Sequence, residues 1–210
     1  GSFVNIYNNQ LFVSAIDAAT KNVVETALHR AFHSRSLTHH STVLPIADVL
    51  HKTAAIKYAY FLVDVSALTT EVSRIDRGMV LDTISFPEGF ETLSQKAAKS
   101  MKRPHSDMQT IQKRPNDFGL TKEFTIAHDD ALGNWSSAYA DAFETLQGNG
   151  MPITNTILIA DAPTADAFKR DIGRISGTKV QILSSKNYES LYDAAARSDA
   201  TAVGGLLALS

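Results

Sequence analysis

The chain has 210 residues, a formal net charge of -2, and a composition of 44% hydrophobic and 20% charged residues. These values are typical of an ordinary globular protein with room for one large domain or two small ones, and they give no electrostatic reason to expect nucleic acid or an anionic membrane surface as a partner. The absence of cysteine excludes disulfides and thiolate metal sites, and no apolar run approaches the about 20 residues that a membrane span needs.

The N-terminal part predicts a hairpin and a helix. Gly1-Ser2 resembles the remnant of a proteolytic cleavage site, so we expect a fragment of a longer protein. Two apolar runs, FVNIY and LFVSAI, flank Asn8-Asn9, and asparagine tolerates turn backbone, so the pattern predicts a β-hairpin. A helix capped by Asp17 or Thr20 follows. Its apolar residues recur at three and four positions: Val23, Val24, Ala27, Leu28, Ala31 and Phe32.

The next segment, HSRSLTHHS, contains three histidines, His33, His39 and His40, a residue type that ligates transition metals. Their spacing is not that of a helical pair, and no Asp, Glu or Cys lies inside the segment, so a solvated loop is the preferred interpretation. A metal-dependent enzyme that uses these histidines remains an alternative. Residues 42–44 then predict a short strand that Pro45 ends, with a short helix after it.

Residues 61–90 are the most informative stretch. Phe61, Leu62 and Val63 form the continuous apolar run expected of a strand buried on both faces, and Asp64 ends it. A Ser/Thr-rich turn and a second strand follow. Gly78 predicts a tight reversal into a third strand, because glycine accepts the positive φ that a two-residue hairpin loop needs. We interpret the stretch as a hairpin whose first turn could face a phosphate.

Two helices are predicted next. Residues 91–103 predict a helix that Pro104 breaks, and the basic residues 102–117 predict a solvated connection, with a basic recognition loop as the alternative. The second helix is predicted to begin at Asp129 and to end at Gly148. Its apolar residues have helical spacing: Leu132, Trp135, Tyr139, Ala142, Phe143 and Leu146.

The remaining pattern alternates between strand and helix. Residues 157–159 predict another buried strand, and a helix is predicted from Thr164. A further strand is expected at residues 179–183, and helices are expected at residues 188–197 and 198–209.

This order of elements resembles the actin-like ATPase superfamily, in particular its members FtsA and PilM. The second phosphate-binding segment of that superfamily has an apolar strand, an acid, a glycine, two threonines and a hairpin. Here Asp64, Thr69 and Thr70 match. Ser66 stands in place of the glycine, and Gly89-Phe90 stands in place of a later glycine pair.

Two further motifs carry the resemblance. The family's glycine-rich turn beneath adenine corresponds to residues 160–164, which contain no glycine, and residues 202–208 resemble its closing helix. The resemblance implies an α/β fold with actin-like (ribonuclease H-like) mixed sheets flanked by helices and truncated at the N-terminus. It also implies that residues 3–55 are the C-terminal part of the first actin-like domain, and that residues 56–210 are the second, with a helical insertion around residues 91–150.

The same resemblance implies a vestigial nucleotide site. Its phosphate-side residues are Asp64, Ser66, Thr69 and Thr70, and its adenine-side residues are Asp161 and Thr164. Ser66 adds a Cβ and a hydroxyl where backbone would meet phosphate, and Pro163 removes a backbone donor. Asp64 either orients Mg²⁺ through water or caps backbone N–H groups at the strand end.

The function implied is that of a non-catalytic scaffold in pilus assembly or cell division, in the cytoplasm at the periphery of the inner membrane. Its expected partner is a protein, in particular a short segment of an inner-membrane protein, and self-association is a further expectation. Neither nucleic acid nor direct membrane insertion is expected, and neither is a bound cofactor. The alternative within the family is an active ATPase that holds ATP and Mg²⁺, with Asp64, Thr69 and Thr70 facing the γ-phosphate.

Overall fold

The computed structural model describes eight stretches of the chain: residues 2–7, 10–15, 18–32, 43–52, 58–108, 121–148, 152–160 and 162–183. Their strands are β1 (Ser2–Tyr7), β2 (Gln10–Ala15), β3 (Tyr60–Val65), β4 (Thr70–Asp76), β5 (Met79–Phe86), β6 (Asn155–Ala160) and β7 (Lys179–Ile182). Their longer helices are α1 (Ala18–Phe32), α2 (Val43–Lys52), α3 (Phe90–Ser100), α4 (Thr121–Gln147) and α5 (Ala162–Ser176).

The N-terminal hairpin and helix are confirmed. Strands β1 and β2 pair antiparallel, from Ser2 opposite Ala15 to Tyr7 opposite Gln10, on the two sides of the Asn8-Asn9 pair. Helix α1 follows, and its apolar stripe is largely exposed: the exposed fraction of Val23 is 69%.

The other five strands form one mixed sheet in the order β5-β4-β3-β6-β7. Strand β3 pairs antiparallel with β4 and parallel with β6, β4 pairs antiparallel with β5, and β6 pairs parallel with β7. Strand β4 therefore runs against the other four. The β4–β5 reversal at Arg77-Gly78 has positive φ at both residues, 50° and 77°, as a two-residue hairpin loop requires. The mixed α/β sheet predicted from the sequence is confirmed.

Helices α4 and α5 cover one face of this sheet. Phe61 and Val63 of β3 are buried there against Trp135 of α4 and Phe168 of α5. All four side chains have at most 1% of their surface exposed. This packing explains the helical spacing of the apolar residues in α4, because the stripe is the surface that contacts the sheet.

Helix α2 covers the opposite face. Tyr60 and Leu62 point to this side of β3, because successive side chains of a strand alternate between faces. The α2 residues buried with them are Val43, Leu44, Ile46, Ala47 and Leu50. Strand β3 is thus buried on both sides, which accounts for its uninterrupted apolar run.

The strand predicted at residues 42–44 is wrong, because Val43 and Leu44 form the first turn of α2. Pro45 does not end an element there. It lies in that same first turn, where a backbone N–H has no helical partner and proline is tolerated.

Two helix starts also differ from prediction. Helix α4 begins at Thr121 rather than at Asp129, which is exposed in mid-helix. The added turns are held by Phe124 and Ala127, which pack in a small cluster with Ala97 of α3. Helix α5 begins at Ala162 rather than at Thr164.

Other predictions lie outside the described residues. These are the histidine segment at 33–41, most of the basic stretch at 102–117, and the helices at 188–197 and 198–209. Among the helices described above, none is both long enough and apolar enough to cross a membrane.

Candidate functional site

The two predicted turns begin side by side at one edge of the sheet. Strands β3 and β6 are parallel neighbours, and Val65 at the end of β3 lies opposite Ala160 at the end of β6. The crevice beyond the carboxyl ends of parallel strands is where α/β proteins commonly bind ligands. Asp161 lies outside the described residues. Thr164 lies in the first turn of α5, and its side chain is not among those described.

The turn after β3 is closed by its own serine. The Ser66 N–H donates to the Thr69 carbonyl oxygen at 3.0 Å, and Ser66 Oγ lies 2.9 Å from that same oxygen. Ser66 Oγ also accepts a hydrogen bond from the Thr69 N–H at 3.3 Å. Both residues are exposed. Their polar groups are hydrogen-bonded to each other within the turn even though solvent can reach them.

Helix α3 begins directly against this turn. The N–H of Phe90 donates to the Ser66 carbonyl oxygen at 3.0 Å, and the N–H of Glu91 donates to the Ala67 carbonyl oxygen at 2.8 Å. A Cβ on Gly89 would lie 2.3 Å from the Ser66 oxygen and 2.5 Å from the Ala67 oxygen. Glycine is therefore required at position 89 for the close approach. Two of the N–H groups that a helix start can offer to an anion are occupied by the turn.

Thr70 faces the interior, unlike Thr69. Its Oγ1 donates to the Glu88 carbonyl oxygen at 2.6 Å and accepts a hydrogen bond from Trp135 Nε1 at 2.8 Å. Its exposed fraction is 0%. The hydroxyl thus links β4, the start of α3 and helix α4. Sequence reasoning placed Trp135 in the core but could not identify this polar contact.

Asp64 has an acidic neighbour that sequence reasoning missed. Glu71 of β4 lies directly opposite Asp64 of β3, and cross-strand partners share a face of the sheet. Burial raises the pKa of Asp64 from 3.8 to about 6. Burial, and then the charge of Asp64, raise the pKa of Glu71. One feature of the sequence could have indicated this pair, because both acids lie next to the same turn between two predicted strands.

This arrangement combines two half-buried carboxylates with a short exposed turn. Carboxylate oxygens suit hydrated Mg²⁺, but within the described residues no group of three or more acidic, histidine or cysteine side chains converges as a metal site. The N–H groups of Ala67 and Leu68 form no hydrogen bond with another described residue. Leu68, 57% exposed, lies within the same turn.

Comparison with known proteins gives structural matches only. No protein-family model matches the sequence, and no curated protein matches it. Among solved structures, a chain of the PilM-PilN type IV pilus biogenesis complex is similar, with a TM-score of 0.68 and 11% identity over 95% of this chain and 59% of that chain.

Two further structures are similar. MreB5 of Spiroplasma citri bound to AMPPNP has a TM-score of 0.59 and 11% identity, over 93% of this chain and 65% of that chain. Ta0583, an archaeal actin homolog, has a TM-score of 0.55 and 16% identity, over 80% of this chain and 54% of that chain. The chain therefore spans less than two thirds of the length of each of these three relatives.

Proposed function

We propose, from the premise that this chain has the fold of the actin-like ATPase superfamily, that it is an actin-like scaffold that binds another protein. In this proposal the phosphate-side turn no longer holds a nucleotide, and the protein does not hydrolyse ATP. The sequence resemblance to the superfamily and the five-stranded sheet agree on the fold.

The closed turn after β3 carries this proposal. A phosphate-binding loop needs unpaired backbone N–H groups and room for close approach, which is why such loops use glycine. Here Ser66 occupies the glycine position, and its hydroxyl bonds Thr69. The N–H groups of Phe90 and Glu91 are bonded to carbonyls of the turn. Thr70 is committed to Trp135 and Glu88. Each of these contacts favours a structural role over phosphate binding.

The partner is proposed to be a protein, and the likeness to a chain of the PilM-PilN complex supports this choice. The sequence resemblance to FtsA and PilM supports a proposed role in pilus assembly or cell division. The same resemblance supports a cytoplasmic position at the periphery of the inner membrane, where a short segment of a membrane protein would be bound. Self-association and the division of the chain at residues 55 and 56 into parts of two actin-like domains belong to the same proposal.

The test is a calorimetric titration of the intact protein with ATP and Mg²⁺, with the Ser66→Gly variant beside it. The proposal predicts no saturable heat for the unaltered protein up to about 1 mM nucleotide, which corresponds to a binding free energy weaker than about -4 kcal/mol. Binding by the glycine variant alone would identify Ser66 as the block. Micromolar binding by the unaltered protein would reject the degenerate site.

A nucleotide-binding ATPase is the second candidate, and two observations favour it. The N–H groups of Ala67 and Leu68 lack partners among the described residues, and Asp64 and Glu71 place two carboxylates beside the same turn. In that case the two amides would hold a phosphate oxygen and Asp64 would orient a hydrated Mg²⁺. Asp64→Ala would then abolish ATP hydrolysis by the intact protein, and unchanged turnover would end this candidate.

The third interpretation, a metal-dependent enzyme, rests on His33, His39 and His40, which lie outside the described residues. It stays a prediction from the sequence. Elemental analysis of the purified, untagged protein tests it, because a stoichiometric transition metal would be required.

A further inference from the structure

Among the described strands, β7 is the outermost one on its side of the sheet. On one side it pairs with β6, and no described strand lies on its other side. The Lys179 N–H donates to the Thr154 carbonyl oxygen and the Leu183 N–H to the Leu158 carbonyl oxygen, each at 2.8 Å. Alternate residues of a parallel strand face the same neighbour. The N–H and C=O groups of Val180, between these positions, therefore point away from β6.

The same reasoning applies to Ile182. Neither its backbone nor that of Val180 bonds another described residue across this outer edge. Such an edge is a template for an additional strand, and many proteins shield it with charge or with a covering element. Here the edge is short, and the side chains of Val180 and Ile182 pack against the core on the α5 side of the sheet.

An open groove of about 450 Å³ lies beside this edge. It lies between α5 and the start of β7, and its lining residues are Asp166, Lys169, Arg170, Gly173, Thr178 and Val180. A Cβ added to Gly173 would meet nothing closer than 3.8 Å, at the Thr178 oxygen and Val180 Cγ2. A Cβ at Gly173 would therefore fit without a clash, whereas a larger side chain would occupy space in the groove.

We propose that the β7 edge and this groove bind an extended, acidic segment of a partner protein, which adds a sixth strand to the sheet. Backbone groups of the segment would pair with those of Val180 and Ile182, and every second side chain would enter the groove beside α5. The inference stands on the sheet edge and the groove beside it, so it holds whether or not the turn after β3 binds nucleotide.

The charge of the groove lining favours an acidic occupant. Arg170 already contacts Asp129 at 3.8 Å and Asp171 at 3.5 Å, whereas Lys169 forms no ion pair with another described residue. The groove lining thus carries two cations, Lys169 and Arg170, and one carboxylate, Asp166, and this net positive charge attracts an acidic segment. If a second copy of this chain paired at this edge, the exposed Lys179 of each copy would approach the groove cations of the other copy. This repulsion between like charges disfavours self-pairing at this edge.

Amide hydrogen exchange of the intact protein tests whether the edge is open. The Gln181 N–H faces β6, whereas its neighbours Val180 and Ile182 face outward, so the three residues report on the two sides of one strand. The expected result is exchange at Val180 and Ile182 at least about tenfold faster than at Gln181. Equal protection at all three positions would overturn the proposal, because the edge would already be covered.

Peptide binding tests the occupant. The probe is a fluorescent peptide of about nine residues that alternates valine and threonine, with one central glutamate, a length that matches a strand. Fluorescence anisotropy is expected to show saturable binding, at least about tenfold weaker when lysine replaces the glutamate. Protection of the Val180 and Ile182 amides should appear with the peptide. Absence of binding for both peptides, or equal affinity for both, would contradict the acidic-segment proposal.

Two pairs of variants separate the roles of the edge and of the groove from effects on folding. Val180→Pro removes the outward N–H but no bond to β6, and proline is tolerated on an edge strand. Val180→Ala is its control, because it shortens the side chain and keeps the N–H. The peptide should bind Val180→Pro at least about tenfold more weakly than Val180→Ala. Gly173→Leu, which fills the groove, should weaken binding to the same extent, while Gly173→Ala should not. Equal binding by the proline and alanine variants, both shown to be folded by circular dichroism, would overturn edge pairing.

Discussion

The N–H of Phe90 donates a 3.0 Å hydrogen bond to the carbonyl oxygen of Ser66. This bond joins the start of α3 to the turn after β3, which we propose corresponds to a phosphate-binding loop. Gly89, the residue before Phe90, permits the contact because a side chain there would collide with the turn. The N–H groups of the helix start and the carbonyl oxygens of the turn therefore satisfy one another, and the scaffold proposal depends on this relationship.

Replacing Gly89 with alanine tests the contact. The added Cβ would lie 2.3 Å from the Ser66 oxygen, so the helix and the turn must separate. We expect the free energy of unfolding in urea to fall by about 1–3 kcal/mol. The control is Gly133→Ala in α4, where a Cβ meets nothing within 4 Å; it should raise stability by about 0.5–1 kcal/mol through helix propensity. Equal effects from both substitutions would show that the close approach is not needed.

Thr70→Val tests the buried hydroxyl. Valine has nearly the same shape, but it leaves the Trp135 Nε1–H and the Glu88 carbonyl without the partner they have in the folded chain. The expected loss is about 1–3 kcal/mol, measured by urea unfolding. Trp135 is the only tryptophan, so its fluorescence should change as well. Thr70→Ser keeps the hydroxyl and should lose only about 1 kcal/mol for the missing methyl group. A larger loss for serine than for valine would contradict the assignment.

The stability of the protein should depend on pH through Asp64. Its pKa is about 6 in the folded chain and 3.8 ordinarily, so between these values the folded state holds a proton that the unfolded state releases. The contribution of Asp64 to stability therefore falls as the pH rises through this window, and the loss is complete above it. Two pKa units correspond to about 3 kcal/mol at most.

Asp64→Asn removes this titration. Relative to the unaltered protein, the variant should gain up to about 3 kcal/mol at pH 7 and little at pH 4, as measured by urea unfolding across the range. The pKa of Glu71 should also fall, because the charge of Asp64 is one of the causes that raise it. A stability difference that is independent of pH would refute the claim that burial perturbs Asp64.

Ser66→Gly tests the closure of the turn by its side chain. The variant loses the Oγ contacts with the Thr69 oxygen and N–H, and we expect a stability loss of about 1 kcal/mol. Exchange of the Thr69 N–H should accelerate by about tenfold. Ala67→Gly is the control, since it adds the same backbone freedom without removing a side-chain hydrogen bond. If the two variants are indistinguishable in Thr69 exchange, the serine does not hold the turn.

Much of the fold could be predicted because it rests on local pattern. Strand β3 is buried on both faces, so Phe61, Leu62 and Val63 carry an unbroken apolar signal. The β4–β5 reversal needs positive φ, which Gly78 supplies. The apolar stripe of α4 matches the helical period because one side of the helix covers the sheet. Residues 42–44 were misassigned since a short apolar run fits strand and helix alike, and their burial against β3 favours the helix.

The site was less predictable because its contacts join residues far apart in sequence. Thr70 and Trp135 meet across 65 positions, and no sequence periodicity encodes a hydrogen bond between a strand start and a helix centre. The adjacent threonines, Thr69 and Thr70, looked equivalent, yet Thr69 lies in the exposed turn, whereas Thr70 begins β4 and is buried. Glu71 became relevant only when the register of β3 and β4 placed it opposite Asp64.

The most direct test of the closed turn is a titration of the ¹⁵N-labelled intact protein with ATP and Mg²⁺, followed at the amides of Ala67, Leu68, Phe90 and Glu91. If the helix start occupies the carbonyl oxygens of the turn and no phosphate binds there, these amide signals should remain unchanged up to about 1 mM nucleotide. That limit corresponds to a binding free energy weaker than about -4 kcal/mol. Saturable shifts at Ala67 and Leu68 with a micromolar midpoint would contradict the account and establish a working phosphate site.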